Sequence, residues 1–227
     1  MGESVTFTAS RGEASGYLAR PAVAARAGIV VIQEWWGLVP HIEDVADRFA
    51  ALGYVALAPD LYHGKSTVEA EEAHHLMEGL DWGRAAAELS GAVAHLRAAE
   101  GASRVGVVGF CMGGALTLIA ATDPNVDAWV SFYGFPPSGS ARLDEITAPG
   151  LLIFGEHEHA FSVPDAQAFA ASQRAKGLEA EVRIYPGAGH GFFNDTRAEV
   201  YDEASARDAW TKAIAVFERH LGGHLGG

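Results

Sequence analysis

The chain holds a single cysteine, Cys111, among its 227 residues. One thiol forms no intrachain disulfide, and no second cysteine stands ready to resolve an oxidised Cys111, which argues against a redox sensor and fits a reducing, cytoplasmic setting. Long apolar runs are missing too: none approaches the roughly 20 residues needed to span a bilayer. The opening Met1-Gly2-Glu3-Ser4 has neither the basic start nor the apolar stretch of a secretory signal. Positive charge is scarce. Sixteen Lys and Arg against 29 Asp and Glu leave a net charge of −13, which phosphate backbones and anionic lipid would repel, so neither nucleic acid nor membrane is an expected partner. No repeat, linker or low-complexity tract divides the chain, and its length suits a single domain over 1–227 with a frayed tail over about 222–227.

What is present alternates. Short β-branched runs occur at Gly28–Ile32, Tyr54–Ala58, Val105–Val108, Ala128–Phe132, Leu151–Phe154 and Glu181–Tyr185. The middle ones are apolar almost throughout, as expected of parallel strands covered on both faces. Between them, Ile42, Val45, Ala46, Phe49 and Leu52 recur at helical spacing, as do Ala86, Leu89, Val93 and Leu96, and later Trp210, Ile214, Phe217 and Leu221. Gly53 and Gly101 fall where helix stops belong. An edge hairpin near Gly12 or Gly16 is expected within Val5–Arg20. The pattern is that of an α/β fold with a mostly parallel, doubly wound sheet. The segment from Thr67 to Trp82, with Glu69, Glu71, Glu72, His74 and His75, reads as a solvated surface helix, with a lid over a site as the alternative.

The chemistry concentrates at Gly109-Phe110-Cys111-Met112-Gly113-Gly114, directly after an apolar strand and before the buried helical run Ala115–Ala121. A nucleophile flanked by glycines at a strand-to-helix turn is a nucleophile elbow, here with cysteine at its centre. The helix N-terminus would stabilise a thiolate at Cys111, and the next amide, that of Met112, would face a developing oxyanion. An inert, buried cysteine is the alternative reading.

A thiol nucleophile needs a base. His190, in Gly187-Ala188-Gly189-His190-Gly191, follows the last expected strand, on the sheet edge where such folds place their sites. The acid that orients it should lie between the two in sequence. Glu158, three residues past Gly155, is the first candidate, with Glu156 and Asp165 as alternatives. His157 and His159 flank Glu158, but so close a spacing without further ligands is a poor metal site, and neither metal nor cofactor is expected. Gln33-Glu34-Trp35-Trp36-Gly37 follows the first parallel strand, so its Trp35 amide is a candidate second oxyanion donor. Glu34, between apolar neighbours, would be pushed by desolvation toward accepting a proton.

With these residues in view, the chain resembles the dienelactone hydrolase family of the α/β-hydrolase fold along nearly its whole length. The resemblance is carried by Gln33-Glu34 with Gly37, Pro59-Asp60-Leu61-Tyr62, Gly109-Phe110-Cys111-Met112-Gly113-Gly114 and Gly189-His190-Gly191-Phe192. It implies a carboxylic ester hydrolase with no large cap domain. It also implies a resting thiol held neutral near Glu34, which takes its proton when substrate binds. Cys111 would then form a thioester that His190, held by its acid, hydrolyses. The family's acid is usually aspartate, and Glu158 stands at that position. Trp36, Tyr62 and Lys65 are candidates for the substrate pocket. The arginine expected four residues after the histidine is replaced by Asn194, so small neutral or aromatic esters or lactones are the expected substrates. The alternatives are an acyl transferase using the same site and a non-catalytic binder that keeps the fold. Monomer and homodimer are both compatible with a site drawn from one chain.

Overall fold

The computed structural model describes residues 2–25, 27–137, 139 and 142–222. β1 (Glu3–Ala9) and β2 (Gly12–Ala19) form an antiparallel hairpin in which Ala9 pairs with Gly12. The chain therefore reverses next to Gly12. Gly16 lies inside β2, where an added Cβ would sit 2.5 Å from the Ala58 carbonyl oxygen of the neighbouring β4 (Val55–Pro59).

After the hairpin, strand and helix alternate. β3 (Ala27–Ile32), α1 (Pro40–Ala51), β4, α2 (Ala70–Glu78) and α3 (Trp82–Ala98) precede β5 (Arg104–Phe110), α4 (Met112–Ala120) and β6 (Ala128–Phe132). β7 (Gly150–His157), α5 (Val163–Ala175), β8 (Ala180–Gly189) and α6 (Glu203–Leu221) complete the chain. The strands form one sheet in the order β1-β2-β4-β3-β5-β6-β7-β8, parallel from β4 to β8 and antiparallel at β1 and β2. This is the expected doubly wound α/β-hydrolase sheet. Every residue of β3, β4 and β6 is buried, which explains why these strands read as unbroken apolar runs.

Helices cover both faces. A Cβ at Gly28 would meet Leu96 of α3, while one at Gly106 would meet Phe217 of α6. These two glycines point to opposite faces, because Gly28 pairs with Val105, the residue before Gly106. α1 joins α6, with the Phe49 and Trp210 rings 4.7 Å apart. α4 packs beside α3. No helix among the described residues is long and apolar enough to cross a membrane. Gly222, in the left-handed conformation, ends α6; the rest of the expected frayed tail lies outside the described residues.

α5 has no counterpart in the sequence reading. Its buried stripe is thin, Ala166, Phe169, Ala170 and Gln173, and its start depends on local signals, Pro164 in the first turn and Ser162 Oγ accepting from the Asp165 amide at 3.3 Å.

The strand order reverses between β3, whose next strand β4 lies on one side, and β5, which lies on the other, so the crevice at the strand C-termini opens beside both. α4 comes close enough there to touch backbone with backbone. A Cβ at Gly113 would lie 2.5 Å from the Ile32 carbonyl oxygen at the end of β3, and one at Gly109 would overlap the Gly113 carbonyl. Neither neighbour is a side chain that can rotate away. Gly113→Ala is therefore expected to destabilise the fold by about 2–4 kcal/mol, read as a lower urea midpoint with the slope unchanged.

Candidate active site

The elbow sets the geometry. Cys111 has φ 56° and ψ −118°, a strained backbone for a non-glycine residue. Its amide donates to the Phe132 carbonyl of β6 at 3.0 Å, which fixes the turn to the sheet. The cysteine caps α4 through backbone alone, so its side chain at the helix N-terminus is not spent on the cap. Met112, at the first position of α4, has no carbonyl within its own helix to receive its amide proton. Ile32 pairs with Gly109, so the residues that leave β3, Gln33 to Trp35, pass alongside the elbow. The Trp35 amide makes no backbone hydrogen bond among the described residues.

The histidine and its acid arrive by the same register. β7 and β8 pair as far as His157 and Gly189, after an irregularity between Gly155 and His157. The next residues on the two strands are Glu158 and His190. His190 Nδ1 lies 2.9 Å from Glu158 Oε2 and 3.0 Å from Oε1. The Glu158 side chain is 1% exposed. Its Oε1 accepts from the amides of His159 at 3.0 Å and Ala160 at 2.7 Å. Burial opposes its charge, but His190 and the Ala160 and Phe161 amides outweigh burial and hold the carboxyl below its ordinary range. Glu156 turns to the Gly187 amide, 2.8 Å away, and Asp165 sits in the first turn of α5. Neither approaches His190.

The imidazole is flanked by Tyr133, His159 and Phe161, with ring centroids 5.1, 5.8 and 5.9 Å away. Burial favours the neutral ring, yet the interactions with Cys111 on one side and Glu158 on the other prevail and raise its pKa to about 10. Among the described residues no cluster of three or more His, Cys, Asp or Glu is arranged to hold a metal ion.

Glu34 is buried, 3% exposed. Its Oε1 accepts from Tyr133 Oη at 3.1 Å and its Oε2 from Asn194 Nδ2 at 2.7 Å. Tyr133 is missing from the sequence reading because it continues the apolar run of β6 and looks like core. The structure gives it a positive φ of 39° and no exposure. Burial first, then the charges of Glu34 and Cys111, push its hydroxyl well above the usual range, so it stays a proton donor. Asn194 turns its oxygen to Thr196, with Oγ1 at 2.6 Å and the amide at 3.1 Å, which fixes the direction of its NH2 group.

A cavity of about 570 Å3 opens over Cys111, His190, Glu34 and Asn194. Trp35, Trp36, Trp82, Met77, Met112 and Phe161 form much of its wall. Met77 and Glu78 of α2 also line it, so the charged segment read as a surface helix is at once a wall of the cavity.

A family model describing the dienelactone hydrolase family matches residues 14–221. The chain belongs to the dienelactone hydrolase family. It is 34% identical over 97% of its length to the whole of "Protein usf" from Aquifex pyrophilus. Identity is 31%, again over 97% of this chain and all of the relative, to a protein named "Putative carboxymethylenebutenolidase" from Aquifex aeolicus. Among solved structures, a dienelactone hydrolase homologue from Klebsiella pneumoniae superposes with a TM-score of 0.84 at 27% identity, covering 97% of this chain and 99% of that one. Membership makes the protein a hydrolase with no large cap domain.

Of the pocket residues proposed from sequence and from the resemblance to this family, Trp36 lines the cavity. Tyr62 and Lys65 do not: Tyr62 is buried with its hydroxyl 3.3 Å from Met112 Sδ, and both residues line a separate cleft of about 300 Å3. The cation the sequence reading missed is Arg197, the one Lys or Arg lining the cavity among the described residues. Its guanidinium lies 4.6 Å from the centre of the Trp36 ring, and its Nε is 2.7 Å from Glu199 Oε1. Lys65→Ala is expected to leave kcat/KM for any ester substrate within about twofold, as a surface change of at most about 0.5 kcal/mol should; steady-state kinetics checks this.

Proposed function

We propose that the protein is a thiol-dependent hydrolase of small esters or lactones, with Cys111 as nucleophile and His190 and Glu158 completing a catalytic triad. The observation that carries the reading is the alignment of a strained cysteine elbow with a histidine whose far nitrogen is held by a buried carboxylate. Each group has a task. The Cys111 thiolate attacks the acyl carbon, and the amides of Trp35 and Met112 receive the charge that develops on the carbonyl oxygen. Collapse of the tetrahedral species breaks the C–O bond, and the alkoxide takes a proton from protonated His190 to leave as alcohol or, for a lactone, to stay tethered. His190, now neutral, then takes a proton from water as the water attacks the thioester. Release of the thiolate gives the carboxylic acid and restores the site.

The substrate we favour is neutral, with an aromatic or other apolar group. Tryptophan and methionine walls support this, and so does the state of the polar groups: Arg197 already lies on Trp36 and pairs with Glu199, and Asn194 is engaged by Glu34. Ring opening of a lactone agrees with the name of the Aquifex aeolicus relative.

Hydrolysis of p-nitrophenyl acetate and of dienelactone, side by side, by wild type and Cys111→Ala tests the reading. Activity should vanish with Cys111, and p-nitrophenyl acetate should be the better substrate. Activity that survives in Cys111→Ala would remove the thiol from the mechanism. His190→Ala should lose at least about 10²-fold in turnover and accumulate a thioester visible by intact mass. Glu158→Gln should lose far more than Asp165→Asn, and equal mild losses would leave both carboxylates outside the mechanism.

A further inference from the structure

Two of the rings beside His190 take no part in the triad. Phe161 and His159 lie 5.9 and 5.8 Å from the imidazole, centroid to centroid, and both line the reaction cavity. They sit on the short link between Glu158 and α5, and that link is held at both ends. The amides of His159, Ala160 and Phe161 all donate to Glu158 Oε1, at 3.0, 2.7 and 3.3 Å. Ser162, the next residue, caps α5. The acid that orients the base therefore also fixes Phe161, which is half-buried against the core. Trp36 belongs to a different wall. Its ring contacts are Trp35 at 4.9 Å and the Arg197 guanidinium at 4.6 Å, and none among the described residues is with His190.

We propose that Phe161, with His159, forms the subsite for the leaving group, and that the group it takes is aromatic, so that the substrates are esters of phenols. This inference rests on the reading of Cys111 as nucleophile and His190 as its proton carrier. Nδ1 of His190 is committed to Glu158, so Nε2 is the nitrogen that serves the leaving oxygen. That oxygen must come within about 3 Å of Nε2 to receive a proton. The group it carries then lies beside the imidazole, where the rings open to the cavity are Phe161 and His159. Tyr133, the third neighbour, is fully buried and is not part of the cavity wall. The oxyanion, facing the Trp35 and Met112 amides, takes another corner of the tetrahedral carbon, and the acyl chain takes the last.

Thiol chemistry favours the same class. The tetrahedral species can break its new C–S bond, which returns substrate, or its C–O bond, which goes forward. The less basic group departs more readily. An ordinary thiol ionises at about 8.5 and a phenol at about 10, whereas an aliphatic alkoxide is nearly as basic as hydroxide. A phenolate therefore competes with the thiolate for departure, and an alkoxide does so only when protonated as it leaves. In the forward step the C–O electron pair goes to the phenol oxygen, which takes the proton of His190. The acyl group stays on sulphur until water releases it as the carboxylic acid. A phenol ring against Phe161 gains a ring–ring contact in the step that the thiol finds hardest.

Two acetates separate the ring from the acidity of the leaving group: phenyl acetate, and hexafluoroisopropyl acetate, whose alcohol is comparable to phenol in acidity but carries no ring. Both give the same acetyl-enzyme, so only acylation, read as kcat/KM, distinguishes them. With each rate taken relative to alkaline hydrolysis of the same ester, the wild type should prefer phenyl acetate by at least about 10-fold. Phe161→Ala should lose that preference, and Phe161→Tyr should keep it. The ratio of phenyl acetate to phenyl butyrate, which differ only in the acyl chain, should stay within about twofold in both variants. No preference in the wild type, or the same preference in Phe161→Ala, would overturn the proposal. So would a fall shared equally by both acetates, which marks a disturbed base rather than a lost subsite. Phe161→Leu serves if Phe161→Ala does not fold, and it too should lose the preference. Cys111→Ala separates the two levels of inference. Turnover of phenyl acetate retained in that variant removes the nucleophile itself, whereas Cys111-dependent turnover without a preference for the ring removes only the subsite.

Discussion

The close approach of α4 to the ends of β3 and β6 is the constraint on which the site depends. Without side chains at Gly109 and Gly113, the backbone of the helix reaches carbonyls of the neighbouring strand, and the turn before it is forced into the conformation that Cys111 adopts. The strain at Cys111 is offset by the surroundings: its amide is bonded to Phe132, and the helix behind it is buried along almost its whole length. A side chain presented this way has little choice of direction. Everything else in the crevice is arranged around it by strand register, Glu34 and Trp35 through the pairing of β3 with β5, Glu158 and His190 through the pairing of β7 with β8.

That dependence explains why so much was readable from sequence. Parallel strands buried on both faces announce themselves as apolar runs, and glycines on both sides of a cysteine after such a run mark a turn too tight for side chains. His190 and Glu158 were legible because each follows a strand that must end at the same edge. The sequence left three carboxylates open between residues 156 and 165; the choice among them follows from the irregularity near Gly155, which turns Glu156 toward Gly187 and Glu158 toward His190. α5 was hidden by the thinness of its apolar stripe. Tyr133 was hidden by the opposite fault, since an aromatic residue at the end of a core strand looks like packing until its hydroxyl is seen on Glu34.

The pairing of Glu34 with Asn194 could not be read from either segment alone, because the partners are 160 residues apart. Nor could the position of Arg197, which has no periodicity or motif around it and reaches the cavity only because the loop after His190 folds back over Trp36. The loop is anchored from outside the cavity, where Asp195 takes the Arg48 guanidinium at 2.6 Å and His41 at 3.3 Å. Asn194 therefore points inward because its neighbour is held outward.

Charge compensation decides what that inward residue can be. A buried carboxylate needs donors, and a cation in place of Asn194 would supply them at the cost of desolvating a second charge, a penalty that the attraction between the two does not always recover. Two neutral donors, Tyr133 and Asn194, satisfy the oxygens of Glu34 without that second desolvation.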